Sequence, residues 1–164
     1  MQGNGLEAAS LGSRQAGVHL LGGGAEDCPL LVVHVSCAPA LEEIHRSHER
    51  GQTVYAETCP QYFAFEYEDL AREGFEGAKY VCSPPLRDPG NRAALWNGLK
   101  FGDLQIFGSD HCSFNYREQK ELGKDDFTLI PNGLPGVEDR VDLMHDGGVV
   151  SGRITRPAAG GAAA

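Results

Sequence analysis

Residues 30–35 read Leu30-Leu31-Val32-Val33-His34-Val35, a short continuous run of branched apolar side chains interrupted once by an imidazole. Such a run, opening just after Pro29, is the pattern of a strand buried on both faces, as in a parallel sheet. The period then changes. Ser36 is a residue type that caps helices and Pro39 suits a first turn. Leu41, Ile44 and His48 lie at helical spacing and Gly51 is placed to end the element, so a helix is expected over 38–50. Thr53-Val54-Tyr55-Ala56-Glu57-Thr58 reads as a second strand. Strand, helix and strand within about 30 residues make a βαβ unit with a right-handed crossover.

Further along, Ser83-Pro84-Pro85 and Asp88-Pro89-Gly90 carry turn chemistry. A second helix is expected over 91–100, with Ala94, Leu95 and Leu99 as its apolar stripe, and a third strand over 104–107 that ends at Gly108-Ser109-Asp110-His111. A polar loop runs to about Gly136, and 137–144 is a candidate helix. The order β-α-β-α-β fits either a small open α/β sheet or part of a (β/α) barrel.

The ends differ from the middle. Glycine is concentrated in 1–27 and 147–164, whereas the residues between them have ordinary glycine usage. Three regions follow: a poorly specified or disordered segment over 1–27, a folded region over 28–154, and a low-complexity tail over 155–164, expected to be frayed.

The 164 residues carry a net charge of −9. An acidic surface without a basic stripe repels phosphate backbones, so no nucleic-acid partner is expected. No apolar run approaches the ~18–20 residues of a membrane span, and no basic region precedes an apolar stretch at the N-terminus. The five cysteines are irregularly spaced and contain no CxxC, which argues against a disulfide framework or a cysteine zinc site. Free, buried thiols in a reducing cytoplasm are the expectation.

Ligands of parallel α/β folds bind at the C-terminal ends of strands. His34, Glu57 and Asp110 stand there, and an imidazole and a carboxylate on separate strand ends can converge on a metal. The same residues also fit a satisfied core histidine and a loop-capping aspartate, and spacing leaves both readings open. His45 and His48 are three apart on the first helix, but Glu42, Glu43, Arg46, Glu49 and Arg50 around them describe a solvated face. Ser83 lies outside any nucleophile-elbow pattern.

Five runs carry a resemblance. Residues 33–37 (VHVSC), 57–62 (ETCPQY), 79–87 (KYVCSPPLR), 109–114 (SDHCSF) and 130–140 (IPNGLPGVEDR) occur in the same order in dihydropyrimidinases and bacterial hydantoinases. The chain resembles that family of the amidohydrolase superfamily from about Cys28 to Ile154. The resemblance implies strands six to eight of a (β/α)₈ barrel and a pair of zinc ions sharing a carboxylated lysine and a hydroxide. It implies His34 as a zinc ligand, Asp110 as zinc ligand and general base, and Ser83 and Asn132 as positions whose backbone groups hold a cyclic amide or ureide. It further implies hydrolysis of a dihydropyrimidine or hydantoin ring, and the homo-tetramers common in the family.

The chain also departs from that pattern. The His-x-His pair, the lysine and the further histidine that complete the zinc set are expected upstream of Cys28, and no His-x-His occurs in the sequence. A (β/α)₈ barrel takes about 250 residues; three strands leave open edges and an apolar barrel interior facing water. A truncated or frame-shifted gene product is therefore expected. Its alternatives are a non-catalytic relative of the collapsin-response mediator type, which would be expected to replace positions 34 and 110, and an orphan fragment without activity.

Overall fold

A computed structural model of the chain describes residues 28–163. The segment 1–27 lies outside the described residues. Three parallel strands, β1 (Leu30–Val32), β2 (Val54–Thr58) and β3 (Ile106–Phe107), pair in the order β1-β2-β3. Leu31 is opposite Tyr55, and Thr58 is opposite Phe107. Helix α1 (Ala38–Glu49) connects the first two strands. A short helix α2 (Gln61–Ala64), two 3₁₀ turns and α3 (Gly90–Phe101) connect the second and third. The parallel α/β expectation holds, and the two crossover helices lie where the apolar spacing put them.

The strands cover less sequence than expected, and β1 is half-buried on one face and exposed on the other. Val54, Ala56 and Thr58 are buried, and β2 packs on α1. On the other face Leu31 is 50% exposed, Val33 42% and Tyr55 51%. The apolar run of β1 is thus that of a strand with helices on one side and an open apolar face on the other. Ile44 of α1, Leu95 of α3 and Phe107 of β3 have no exposed surface and form the centre of the core. Phe63 joins them to Trp96, with ring centroids 4.5 Å from Trp96 and 5.4 Å from Phe107.

The cap of α1 also differs. Cys37 is its N-cap and makes no side-chain cap bond. Ser36 Oγ instead accepts from Arg87 Nε at 3.1 Å. The orphan Ala38 N–H donates to Asn91 Oδ1 at 2.9 Å, so the first turn of α3 caps α1 across the fold.

His45 and His48 both face Asp103, in the turn before β3, at 3.1 and 3.2 Å. The histidine face of α1 is therefore tied to the neighbouring crossover. The hydrogen bond to Asp103, and then its charge, raise the His45 pKa above its ordinary 6.5. A raised folded value stabilises fully below the unfolded pKa and is lost as pH rises through the folded one. The melting temperature of the parent is expected to exceed that of His45→Gln at about pH 5.5, the gap closing by about pH 8.5. Paired thermal melts across that range check it; a gap independent of pH would refute the ion pair.

After β3, α4 (Arg140–Met144) continues into a π-helical turn over His145–Val150. The tail corrects an expectation. It forms α5 (Arg156–Ala163), which packs on β3, the π-helical turn and α3. Its alanines are the best helix formers, Pro157 fits a first turn, and Ala158, Ala159 and Ala162 meet the core. Low complexity here is a small-residue packing surface. Among the described residues no helix is long and apolar enough to cross a membrane.

Candidate functional site

The C-terminal ends of the strands lie along one sheet edge. His34 follows β1 and Asp110 follows β3, and each holds a left-handed backbone with φ of 44°. That conformation costs a non-glycine residue about 1–2 kcal/mol. The ladder resumes at once beside His34: Val35 N–H donates to the Glu57 carbonyl at 2.7 Å, and Thr58 Oγ1 donates to the Val35 carbonyl at 2.7 Å. Across β2, Gly108 N–H donates to the Thr58 carbonyl at 2.9 Å and fixes the approach to Asp110. His34 is half-buried and Asp110 is exposed. Gln61 Nε2, from α2, donates to Asp110 Oδ2 at 3.4 Å. Burial, with Glu57 and Asp110 nearby, pushes the Cys59 thiol far up.

His34 and Asp110 are donor types that zinc accepts, but a zinc site takes three or four protein ligands. Strand spacing sets the two about 10 Å apart at the backbone. Among the described residues no three His, Cys, Asp or Glu side chains converge so as to hold a metal. The described residues therefore do not fit a complete zinc centre.

Ser83 and Asn132 are exposed on two neighbouring segments. The Ser83 segment is anchored through Pro84, whose carbonyl accepts from Tyr62 Oη at 3.1 Å and from Cys82 Sγ at 3.3 Å. Burial pushes the Cys82 thiol up to about 11 and the Tyr62 hydroxyl well above its usual range. The Asn132 segment is laced to the end of β3. Cys112 N–H donates to the Leu134 carbonyl at 3.0 Å. His111 Nδ1 accepts from the Gly136 and Val137 N–H groups at 3.2 and 3.3 Å. Gly133 N–H donates to the Val81 carbonyl at 3.0 Å, joining the segments of Asn132 and Ser83.

At that junction stands Lys120, 2% exposed. Its ammonium donates to the carbonyls of Val81, Pro131 and Gly133 at 2.9, 2.7 and 3.0 Å. Burial pulls its pKa below the usual lysine range, with Cys82 and Cys112 opposing that pull. Lys120 escaped the sequence because it sits among Arg117, Glu118, Glu121 and Lys124, a run that reads as solvated surface. His111 was visible as part of a strand-end pair, but its role as an acceptor was not. Beside Lys120 opens a largely apolar cavity of about 340 Å³, walled by Gln61, Phe65, Tyr80, Phe114 and Leu134.

The thiols give a direct check on this packing. Cys28 and Cys112 are exposed, while Cys37, Cys59 and Cys82 are buried and free. Iodoacetamide at about pH 8 is expected to label the first two in the folded chain and all five only in denaturant. Peptide mass mapping reads the result, and native labelling of Cys59 or Cys82 would contradict the site described here.

This partial parallel sheet with helices is similar to solved structures of hydantoinases with the amidohydrolase fold. The dihydropyrimidinase from Brevibacillus agri superposes with a TM-score of 0.90 at 47% identity, over 92% of this chain and 32% of that one. A D-hydantoinase from Bacillus sp. AR9 gives 0.91 at 47%, over 92% and 33%. Over the part of that fold it spans, the chain is similar to D-hydantoinases and dihydropyrimidinases. It is 54% identical over 128 residues to the D-hydantoinase of Streptomyces coelicolor, covering 78% of this chain and 27% of that protein. To the D-hydantoinase of Geobacillus stearothermophilus it is 55% identical over 126 residues, 77% of this chain and 27% of that protein. It thus spans about a quarter to a third of the relatives it matches. No family model matches the chain.

Proposed function

We propose that residues 28–154 are the substrate-holding part of a cyclic-amide hydrolase, corresponding to strands six to eight of a (β/α)₈ barrel. The observation that carries the reading is the pairing of His34 and Asp110, in the same left-handed conformation, on strand ends beside the exposed Asn132 segment. Non-glycine backbone of this kind concentrates at functional sites.

In this reading the ring of a dihydropyrimidine or hydantoin lies against the backbone of Ser83 and Asn132. Water adds across the ring C–N bond: its oxygen bonds to the carbonyl carbon, and Asp110 carries the remaining proton to the departing ring nitrogen. The product is an N-carbamoyl amino acid. His34 and Asp110 would each supply one donor toward the family's zinc pair, a set that the described residues do not complete. The uncovered face of Leu31, Val33 and Tyr55 corresponds to a barrel interior. Buried free thiols support a reducing, cytoplasmic setting, and assembly into a homo-tetramer belongs to the same proposal.

Having only two such donors among the described residues favours binding of the ring without opening it. Titration of the ¹⁵N-labelled 164-residue chain with dihydrouracil is expected to shift the Ser83 and Asn132 amide resonances. Incubation with zinc is expected to give no N-carbamoyl product by mass spectrometry. Amides that stay unmoved at the solubility limit of dihydrouracil would overturn the binding reading, and steady turnover would overturn the two-donor limit.

A further inference from the structure

We infer that Lys120 is a positioning residue that presents the Asn132 backbone as a matched donor and acceptor for a cyclic amide; this rests on the ring-binding reading above. Both peptide bonds of Asn132 are trans. In a trans peptide the C=O and the N–H point in opposite directions. The Pro131 carbonyl is held by the Lys120 ammonium, so the Asn132 N–H of the same peptide unit points away from Lys120. The Gly133 N–H is held by the Val81 carbonyl, which Lys120 also binds, so the Asn132 C=O likewise points away. Residue 132 therefore turns both of its hydrogen-bonding groups to the same, exposed side. Among the described residues neither group has a hydrogen-bond partner.

A donor and an acceptor side by side are the complement of a cis amide, which rings enforce and open chains avoid. A lactam, imide or ureide edge offers N–H beside C=O and can bond both groups of Asn132 at once. Only a compact, multiply donating cation can tie three converging carbonyls, which is the arrangement an ammonium provides. Lys120 also joins the Ser83 and Asn132 segments, because the Val81 carbonyl it binds lies two residues before Ser83. The lysine never reaches the ring; it acts through the backbone it orients.

The test compares the full parent chain with Lys120→Met and Lys120→Arg, using dihydrouracil as probe and following amide shifts and hydrogen exchange. Removing the ammonium is expected to weaken dihydrouracil binding about tenfold, the range of one or two hydrogen bonds. Exchange of the Gly133 amide is expected to rise by a similar factor of about ten, with Leu95 and Leu99 of α3 unchanged. Lys120→Arg keeps a cation, but its planar fork cannot meet three converging carbonyls, and a smaller loss of about threefold is expected. Binding within about twofold of the parent in a folded Lys120→Met chain overturns the inference. If Lys120→Met does not fold, parent-like binding by Lys120→Arg together with parent-like Gly133 exchange overturns it instead. If the parent itself does not bind dihydrouracil, the functional reading fails. Gly133 exchange in the variants then decides separately whether Lys120 organises the loop: unchanged exchange rejects the role and faster exchange retains it.

Discussion

Phe107→Ala is expected to destabilise the chain by about 3–5 kcal/mol, the range for emptying a fully buried aromatic site. Phe107 has no exposed surface, pairs with Thr58 across β2–β3, and packs its ring on Phe63. Its side chain joins the last strand to the helical layer, so the loss propagates to the edge that carries Asp110. Small domains keep only about 5–15 kcal/mol in total, so the variant is expected to be largely unfolded in mild denaturant. Trp96, the single tryptophan, packs on Phe63 and reports the transition by fluorescence. The control is Leu31→Ala on the open sheet face, expected within about 0.5 kcal/mol of the parent. Equal losses at both positions would mean that the open face is covered in solution by another chain.

The second large effect is expected at Gly133. Its φ is +152°, and a Cβ there would stand 2.3 Å from the Cys112 carbonyl oxygen. Backbone, not a yielding side chain, occupies that space. Gly133→Ala is expected to cost about 3 kcal/mol or more, combining a glycine-only conformation with a backbone clash. The damage is local first: the Cys112–Leu134 hydrogen bond and the Gly133–Val81 bond both depend on that approach. Gly160→Ala makes the contrast, because a Cβ there meets nothing within 4 Å and removes a helical glycine. It is expected to stabilise by about 0.5–1 kcal/mol. Urea unfolding of the two variants side by side checks the pair, and a Gly133→Ala chain as stable as the parent would refute the packing of the loop.

What could be read in advance follows from which forces leave a mark in the order of residues. The crossover helices were legible because Leu41 and Ile44, and Leu95 and Leu99, repeat at the period of a helix, and both stripes are buried. The strand run was legible as a strand but not in its burial. Leu31 and Val33 look the same in sequence whether a helix layer covers them or nothing does. The strand also stopped early, at Val32, because the backbone turns left-handed at His34, and no side-chain pattern records that. The helix of the tail leaves no such mark, because small residues suggest fraying when alone and a close-packed helix when a core stands beside them. His34 and Asp110 were found as strand-end residues; Asn91 as a cap and Lys120 as a loop clamp were not. Both act on partners far away in sequence, at positions 38 and 81.

The left-handed backbone at His34 and Asp110 sets a direction for drift. Glycine occupies that conformation without the steric penalty a side chain brings, so at these two positions the substitution that most simplifies folding is also the one that removes the imidazole or the carboxylate. In the reading proposed above, stability and chemistry pull the same two codons in opposite directions. A lineage released from hydrolysis gains by losing these side chains first, well before its core changes, and a lineage still under selection for the reaction continues to carry two strained residues on an otherwise relaxed sheet.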